Sequence, residues 1–422
     1  MVQFVAFDYR ARIVDTLLAE ILQSRSAILL EGARGCGKSA TGRHHSASAV
    51  QLDIDDAAVR LGELAPDRLL DGEMPRFIDE WQLVPALWNQ VRAAVDRDPA
   101  ARLLLAGPAV PADQTTRHSG AGRILRIRMR PMSLWESGHS SADVSLGELF
   151  EDPALKVVGE SSLSVEDLMT VVVRGGWPGL LELPLRQASR LLASCLDDIA
   201  RVDIPRLDGE PDRAPEGILR TIRSLARSIG TEASLASIAA DISASSPTTP
   251  ETVSAYLAAM GRVFVVEDQP SWGPHLRSRD RVRKSAKRHF VDPSLAAAAV
   301  GADAQRLLGD LGFFGQLFES LVVRDLRVYS QPIEGSVYHY RDSSGTEVDA
   351  IVERRDGSYL AVEVKLAASR EDEAAAALHR FAAKLDPERT PAPAALVVIT
   401  GGRYAFTRPD GVHVVPIGCL AP

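Results

Sequence analysis

The amino-acid sequence predicts an α/β protein with an N-terminal P-loop parallel sheet that carries helices on both faces. Two observations support this class. A short apolar run, Ile28 to Leu30, is followed by a glycine-rich turn and by a segment that can begin a helix. Further short runs at 51–53, 77–79 and 102–106 alternate with helical patterns, as in parallel sheets covered on both faces. The rest of the sequence predicts a central helical region and a C-terminal α/β domain.

The turn after the first strand has the spacing of a phosphate-binding loop, Gly32-x-x-x-x-Gly37-Lys38-Ser39. Gly35 and Gly37 lack a Cβ, so the backbone can curl around a phosphate and direct its N–H groups inward. Lys38 would reach the β- and γ-phosphates of ATP, and Ser39 would place its hydroxyl on Mg²⁺. The alternative is a glycine-rich turn with an exposed lysine, which the flanking strand and helix disfavour. The residues expected at the nucleotide are Gly32, Gly35, Cys36, Gly37, Lys38, Ser39, Ala40 and Asp79.

The segment Phe77 to Glu80 is an apolar run that ends in two acids, which is the Walker-B pattern. We expect Asp79 and Ser39 to hold the Mg²⁺ ion and Glu80 to polarise the attacking water. Asp79 lies 41 residues after Lys38 (79 minus 38), which leaves room for a crossover helix and a strand. An ordinary strand that ends at a charged loop is the alternative.

The strand predicted at 102–106 ends at Gly107-Pro108, and neither residue has a side chain that can sense a γ-phosphate. This departure predicts either that ATP turnover is slow or that Thr115 or Thr116 senses the γ-phosphate instead. In the arginine-rich stretch that follows, one residue could act as an arginine finger, in cis or in trans. A solvated basic strand is the alternative for each of them. The arginines are Arg117, Arg123, Arg126, Arg128 and Arg130.

Length and composition exclude several classes of protein. A chain of 422 residues predicts about two or three domains, and 45% hydrophobic with 25% charged residues is ordinary for a globular protein. The net charge of -8 places any contact with nucleic acid on a local basic patch. Isolated cysteines and the lack of an apolar run of about 18 residues favour a cytoplasmic protein without disulfides or a membrane span. The first ten residues do not resemble a signal peptide.

The central part of the chain combines a predicted linker with a helical module. From Pro131 the sequence MSLWESGHSSADVS is rich in serine and glycine, which predicts the linker. Residues 215–272 follow the order of a winged helix-turn-helix, but the third helix carries no arginine or lysine, so packing or dimerisation is as compatible as base reading. The basic run 277–288, RSRDRVRKSAKR, could bind phosphates or form a flexible, solvated face. The module's helices and strand are predicted at 218–228, 234–241, 252–260 and 263–266.

The last third of the chain predicts an amphipathic helix with Glu319, then a hairpin around an Asp-Gly turn, then a further helix and strand. Asp349 lies nearly as many residues before the turn as Glu363 lies after it. Hairpin pairing therefore brings the two carboxylates side by side. Lys365 shares a face with Glu363. Two carboxylates and a lysine form a Mg²⁺ site that can stabilise a developing phosphorane, and Glu319 could supply a third ligand. The alternative is a hairpin with one solvated face.

The segments GARGCGKS, RFIDEWQ, GRILRIRMRPMSLWESG, GGWPG and EVDAIVE…AVEVK occur in this order, and in them the chain resembles prokaryotic AAA-type ATPases with a C-terminal domain of unknown function. The resemblance implies an ATPase domain at 1–135, a helical linker and winged-helix region at 136–300, and a restriction-endonuclease-like domain similar to PD-(D/E)XK nucleases at 301–422. Gly107-Pro108 departs from the Gly-Ser that this family tends to have. The nucleotide positions that the resemblance implies are Gly32, Gly37, Lys38, Ser39, Asp79 and Glu80. The nuclease-like positions that it implies are Glu319, Asp349, Glu363 and Lys365.

Three hypotheses follow from these observations. The first is a cytoplasmic Mg-ATP-dependent ATPase whose nucleotide state controls how the C-terminal region engages nucleic acid. The second is metal-dependent nuclease activity in that region. The third is a switch that binds ATP and a protein or nucleic-acid partner without cutting. The expected ligands are ATP and Mg²⁺ and the expected partner is DNA or another nucleic acid. No membrane contact is expected, and a homo-oligomer is compatible with the sequence.

Overall fold

The computed structural model describes residues 9–24, 26–107, 121–152, 154–208, 215–243, 247–275 and 284–422. The chain divides into two compact units. Unit 1 comprises residues 1–130 with 262–264, and unit 2 comprises residues 131–261 with 265–422. Among the described residues, no helix combines the length and the apolar character that a membrane crossing needs.

Unit 1 is built on a parallel sheet. Its described strands are β1 (Ser26–Glu31), β2 (Ser48–Gln51), β3 (Arg76–Asp79), β4 (Arg102–Gly107) and β5 (Ile124–Arg128). Its described α-helices are α1 (Val14–Ile21), α2 (Lys38–His44), α3 (Asp56–Leu64) and α4 (Leu87–Arg97). The strands pair in parallel in the order β2-β3-β4-β1-β5, which confirms the predicted N-terminal parallel sheet.

Apolar side chains hold this sheet together. Leu29 of β1 lies opposite Leu105 of β4, and both strands are buried, as expected for central strands of a parallel sheet. One face packs against Trp81 and against Trp88 and Val91 of α4. Burial of one such side chain stabilises the folded state by about 1.5–3 kcal/mol. This core fixes the carboxyl ends of β1, β3 and β4 at one edge of the sheet.

Unit 2 contains a helical region and a mixed sheet. Its described helices are α5 (Glu148–Glu151), α6 (Val165–Arg174), α7 (Leu185–Asp198), α8 (Ile204–Asp208), α9 (Pro215–Arg227), α10 (Leu235–Ile242), α11 (Pro250–Arg262), α12 (Pro293–Ala299), α13 (Ala304–Leu308), α14 (Leu311–Tyr329) and α15 (Glu371–Lys384). Its described strands are β6 (Val144–Ser145), β7 (Val158–Glu160), β8 (Val266–Gln269), β9 (Lys287–Phe290), β10 (Ser336–Arg341), β11 (Glu347–Glu353), β12 (Tyr359–Lys365), β13 (Ala395–Thr400), β14 (Tyr404–Thr407), β15 (His413–Pro416) and β16 (Leu420–Ala421).

Helices α9 to α11 occupy the three segments that were predicted to be helical, and β8 pairs with β9 in antiparallel orientation. The strand begins at Val266 rather than at Val263, because Phe264 has a positive φ of 59° that interrupts an extended backbone. Tyr256 of α11 is buried, so its side chain packs within the protein. The winged-helix class of this region stays a prediction.

The mixed sheet of unit 2 has the strand order β10-β11-β12-β13-β15-β14-β7 within the described residues. The predicted hairpin is present, since β11 and β12 pair antiparallel with Val352 opposite Leu360. β12 and β13 are parallel, and α15 packs on the sheet through Leu378 and Phe381. Strand β7 joins the sheet at β14. Three residues are too few for an alternation pattern, so the sequence did not indicate β7.

The segment after Pro131 is packed, which corrects the predicted linker. Ser133 and Leu134 are buried, and the Ser133 N–H donates to Glu136 Oε2 at 2.8 Å. The Leu134 N–H donates to Asp325 Oδ2 at 3.0 Å. Serine is common both in flexible linkers and in tight turns that bond their own backbone. Composition alone therefore could not distinguish a linker from this turn.

Arg324 of α14 lies at the centre of a buried ion network in unit 2. Its Nη1 donates to Asp292 Oδ2 at 2.7 Å, and its Nη2 donates to Asp325 Oδ1 at 2.7 Å. Asp292 Oδ2 also accepts the N–H of Gly176, which belongs to the GGWPG turn, at 3.0 Å. The network therefore joins this turn, the packed segment after Pro131 and helix α14.

Candidate functional site

The phosphate-binding loop lies between the end of β1 and the start of α2. Gly35 and Gly37 have φ values of 81° and 109°, which glycine adopts without strain. A Cβ at Gly32 would overlap the carbonyl oxygen of Met129, so this position also requires glycine. Ala40 is exposed in the first turn of α2. The loop therefore has a backbone that its three glycines permit and that larger residues would disrupt.

The Lys38 side chain folds over the loop. Its Nζ donates to the carbonyl oxygens of Gly32 at 2.8 Å and Ala33 at 3.0 Å, and the residue is buried. Arg12 supports the same loop, because its Nη1 donates to the carbonyl oxygen of buried Cys36 at 2.8 Å. Sequence analysis missed Arg12, since a single arginine ahead of the first strand belongs to no motif. Two cationic side chains at the loop favour an anionic ligand.

The register of the sheet brings the loop and the acidic pair to one edge. Glu31 at the end of β1 lies opposite Gly107 of β4, and Asp79 at the end of β3 lies opposite Ala106. The Ser39 hydroxyl lies close enough to the Asp79 carboxylate to lower its pKa, in opposition to burial. The structure therefore places together the two side chains that were predicted to hold Mg²⁺.

The Asp79 carboxylate fits a bound cation. Burial raises the pKa of Asp79 and also that of Glu80. Asp79 Oδ2 is buried without a hydrogen-bond partner among the described residues, and Arg43 Nη2 lies 4.0 Å from it. A buried anionic oxygen without a hydrogen bond is unfavourable, and a cation would satisfy it. Ser39 and Asp79 therefore suit a magnesium ion bound with a nucleotide.

Glu80 and Gln82 form a polar pair just after β3. Glu80 has a left-handed φ of 54°, a strained conformation that is common at functional sites. Gln82 Nε2 donates to Glu80 Oε2. Gln82 Oε1 is buried without a hydrogen-bond partner in the described ranges, and it occupies the space that a side chain at Gly107 would fill. Sequence analysis did not assign Gln82 a role at this position.

The arginines around β5 pair with acids of unit 1. Arg126 Nη1 lies 3.3 Å from Glu31 Oε2, and Arg128 Nη2 lies 3.6 Å from Glu31 Oε1. Arg123 Nε lies 3.0 Å from Asp96 Oδ1. These pairs agree with the alternative of a solvated basic strand, and the arginine finger stays a prediction. Pro108, Thr115, Thr116 and Arg117 lie outside the described ranges.

In unit 2, β11, β12 and α14 bring together the four residues that were predicted for the carboxylate site. Lys365 Nζ lies 2.9 Å from Glu363 Oε2 and 3.9 Å from Asp349 Oδ2. Asp349 Oδ2 also accepts the N–H of Val364 at 2.9 Å. Glu319, on α14, belongs to the same cluster, because a second lysine lies close to both Glu319 and Asp349.

This second lysine is Lys287 of β9. Its Nζ lies 2.8 Å from Glu319 Oε1, 3.7 Å from Asp349 Oδ1 and 3.8 Å from Glu347 Oε1. Lys287 is only 5% exposed, which disagrees with one of the two alternatives for the basic run, a solvated face, at this position. The part of the run at 277–283 lies outside the described residues. Sequence analysis missed Lys287 because it treated the run as one segment and predicted no strand there.

Burial and mutual proximity shift the protonation of these groups. Burial, and then the charge of Asp349, raise the pKa of Glu319 to about 7 and that of Glu363 to about 8. Burial alone would lower the pKa of Lys287, but the carboxylates of Glu319 and Asp349 outweigh it and raise that pKa. Burial would likewise lower the pKa of Lys365, but the carboxylates of Glu363 and Asp349 outweigh it and raise that pKa. Both ammonium groups are therefore charged at neutral pH.

The predicted metal ligands Asp349 and Glu363 face ammonium groups in the structure. Within the described ranges, no group of three or more His, Cys, Asp or Glu side chains is arranged to hold a metal ion. A Mg²⁺ ion requires near-octahedral oxygen ligands at about 2.0–2.1 Å. Instead, the two oxygens of Asp349 face Lys287 and Lys365. The side chains of this cluster are arranged around ammonium groups and do not fit a divalent metal ion.

Family models match three stretches of the chain. Residues 24–137 match the AAA domain, residues 165–306 match a domain of unknown function (DUF8612), and residues 314–420 match a domain of unknown function (DUF4143). The first stretch contains the loop and the acidic pair, so the part of the chain that is similar to the AAA domain is the part that carries this site. The third agrees with the resemblance to ATPases that carry a C-terminal domain of unknown function. No curated protein matches the sequence.

Solved structures show distant similarity. A Walker-type ATPase of Pyrococcus abyssi is 14% identical over 70% of this chain and 97% of its own, with a TM-score of 0.43. A DNA replication initiation factor is 12% identical over 58% of this chain and 85% of its own, with a TM-score of 0.28. The replication initiator DnaA, bound to AMPPCP and single-stranded DNA, is 15% identical over 59% and 86%, with a TM-score of 0.27.

Proposed function

We propose that this chain is a Mg-ATP-dependent ATPase whose nucleotide state controls a C-terminal, nuclease-like region that engages nucleic acid. One observation carries the enzymatic part of this proposal. The sheet register aligns the glycine-rich loop after β1 with Asp79 and Glu80 at the end of β3. The match of residues 24–137 to the AAA domain supports the same assignment.

The side chains at this edge have distinct roles in the proposed reaction. Lys38 and the loop N–H groups would bind the β- and γ-phosphates, and Ser39 and Asp79 would hold Mg²⁺, which would neutralise phosphate charge. The oxygen of a water molecule attacks the γ-phosphorus as the bond to ADP breaks, and Glu80 accepts the proton of that water. Because burial raises the pKa of Glu80, its carboxylate accepts a proton more readily than an exposed one.

The assay for this function is phosphate release from MgATP by the purified chain, with and without DNA. We expect measurable turnover that changes when DNA is added. Equal rates with and without DNA would contradict the proposed control while leaving the ATPase assignment intact. An absence of turnover with tight ATP binding would favour a switch that binds ATP without hydrolysing it.

The order of elements in unit 2 supports the nuclease-like class of the C-terminal region. Helix α14 precedes the antiparallel strands β10, β11 and β12, and helix α15 then leads to β13, which is parallel to β12. The resemblance to PD-(D/E)XK nucleases assigns catalytic positions to this arrangement. Helices α9 to α11 with β8 and β9 support the winged-helix region. The proposed domains are thus 1–135, 136–300 and 301–422.

A non-cleaving partner-binding role is the second candidate for the C-terminal region, and Lys287 favours it. Nucleases of this class need a divalent metal between their carboxylates. Here the Lys287 ammonium contacts Glu319 and faces Asp349 and Glu347. The cluster is already neutralised in part, so we expect the region to bind nucleic acid or protein without cutting.

Incubation with DNA or RNA and Mg²⁺ or Mn²⁺ distinguishes the two candidates. We expect the parent chain and Asp349→Ala to leave the nucleic acid uncut. Cleavage that is equal in both proteins indicates a contaminating nuclease. Cleavage by the parent that Asp349→Ala abolishes would establish a metal-dependent nuclease and would contradict the non-cleaving role.

A further inference from the structure

We infer that Lys287 is the resident cation of the unit 2 carboxylate cluster and that it excludes a divalent metal ion from that cluster. The inference holds whether or not the region binds nucleic acid. The cluster consists of Glu319, Glu347, Asp349 and Glu363, which carry four negative charges when ionised, and of Lys287 and Lys365, which carry two positive charges. A metal ion would compete with these ammonium groups for the same oxygens.

The position of the Lys287 ammonium supports this role. Its Nζ is 2.8 Å from Glu319 Oε1, 3.7 Å from Asp349 Oδ1 and 3.8 Å from Glu347 Oε1, so carboxylates from two elements converge on it. Lysine is rarely buried unless it is paired, and Lys287 is buried. An incoming cation at these oxygens would lie within a few ångströms of a fixed positive charge.

The backbone of β9 keeps the lysine in this place. Lys287 lies opposite Gln269 in the β8–β9 pair. Gln269 Nε2 donates to the carbonyl oxygen of Asp349 and to that of Tyr338, both at 3.0 Å. The strand that carries the lysine is therefore tied to the strand that carries the acid. The ammonium could leave this place in two ways. The Lys287 side chain could change rotamer and lose the attraction of three carboxylates, or these strands could separate.

The test is titration of nucleotide-free full-length protein with Mn²⁺, followed by electron paramagnetic resonance of the free ion. We expect the parent and Asp349→Asn to bind Mn²⁺ equally, because the cluster does not contribute. Lys287→Met keeps the length of the side chain and removes its charge, so Mn²⁺ affinity should rise by about tenfold or more. The Mn²⁺ binding gained in this variant should disappear in the double variant that combines Lys287→Met with Asp349→Asn.

Lys384→Met is the matched control, because Lys384 Nζ also lies beside a carboxylate, 3.1 Å from Asp342 Oδ2, but is half-exposed. It should bind Mn²⁺ like the parent. If Asp349→Asn binds Mn²⁺ more weakly than the parent, the inference is overturned. This comparison does not depend on whether a Lys287 variant folds. A folded Lys287→Met that gains no site would also overturn it.

A separate observation in unit 1 concerns the end of β4. The geometry points to Gln82 as the residue that positions the Glu80 carboxylate. This proposal rests on the proposed ATPase. Gln82 Nε2 donates to the carboxylate of Glu80, and Gln82 Oε1 occupies the volume that a residue 107 side chain would fill.

Gln82 positions Glu80 without taking the proton itself. Gln82 Nε2 donates to one oxygen of the Glu80 carboxylate, which leaves the other oxygen to accept the proton of the attacking water. Gln82 Oε1 is buried without a hydrogen-bond partner among the described residues, so the amide is held by packing at the end of β4.

Steady-state kinetics of Gln82→Ala test this role. We expect kcat to fall by about ten- to a hundredfold while KM for MgATP stays within about threefold, since the lost contact orients the Glu80 carboxylate and not the nucleotide. In a Glu80→Gln background the same substitution should have little further effect, because two residues that act as a unit are not additive. Gln23→Ala, at an exposed position just after α1, is the matched control and should retain the parental kcat.

The outcomes separate this role from the ATPase assignment. A parent with no turnover, or with turnover that does not depend on Lys38, contradicts the ATPase itself. A parent with Lys38-dependent turnover and a Gln82→Ala variant with parental kcat contradicts only the role of Gln82. An equal loss of kcat in the Glu80→Gln background would show that Gln82 does not act through Glu80.

Discussion

Replacement of Lys38 by alanine is expected to reduce ATP turnover by about a hundredfold or more. The ammonium lies over the loop in contact with the carbonyl oxygens of Gly32 and Ala33, from which it can turn to the β- and γ-phosphates. Alanine cannot supply this charge, so both binding and hydrolysis of ATP should fail. The measurement is the initial rate of phosphate release at saturating MgATP, together with nucleotide affinity.

Glu80→Gln is the companion variant for this experiment. It keeps the shape of the side chain and removes the proton acceptor, so turnover should fall while ATP affinity stays within about threefold of the parent. The two variants therefore separate binding from chemistry. Parental turnover by a correctly folded Lys38→Ala would show that the loop is not the nucleotide site.

Arg324→Met is expected to lower the free energy of unfolding of unit 2 by about 3–5 kcal/mol. Methionine has a similar length but leaves Asp292 and Asp325 buried without their common partner. Arg324 is 2% exposed and both aspartates are 0% exposed, so water cannot replace the lost hydrogen bonds. Asp292 also accepts the N–H of Gly176, which links the loss to the GGWPG turn. Denaturant unfolding measures the effect.

Arg227→Met is the control for this loss of stability. Arg227 Nη1 lies 3.0 Å from Asp241 Oδ1, a pair of similar length whose side chains are 69% and 38% exposed. Exposed ion pairs contribute about 1 kcal/mol or less, so this variant should unfold almost like the parent. Equal, small losses in both variants would contradict the central role of the Arg324 network.

Patterns that are local in sequence predicted much of this protein. The spacing from Gly32 to Ser39, the apolar run before Asp79 and the Asp-Gly turn between β11 and β12 each lie within one short segment. Hairpin pairing has a period of two residues, so the approach of Asp349 to Glu363 followed from counting alone. These parts of the two sites could therefore be predicted without the fold.

The residues that sequence analysis missed act over long separations. Lys287 meets Glu319, which is 32 residues away, and Gln82 fills the space at Gly107 on another strand. Arg12 holds the carbonyl of Cys36 from ahead of β1. None of these contacts leaves a periodic pattern, because each depends on how separate elements pack.

The predicted linker after Pro131 failed for a related reason. Its serines bond the local backbone and the Glu136 carboxylate, and its Leu134 N–H reaches Asp325 on α14. The same residue types in a solvated segment would have no such partner. Composition records which groups can form hydrogen bonds, and only the fold determines whether they do.

A crystal structure of the full chain with Mg²⁺ and a non-hydrolysable ATP analogue tests the central claim most directly. We expect the β- and γ-phosphates inside the loop from Gly32 to Gly37, with Lys38 Nζ moved from the backbone carbonyls to the phosphates and the metal beside Ser39 and Asp79. An analogue bound at another place, with Lys38 still on the carbonyls of Gly32 and Ala33, would contradict the nucleotide site on which the proposed function depends.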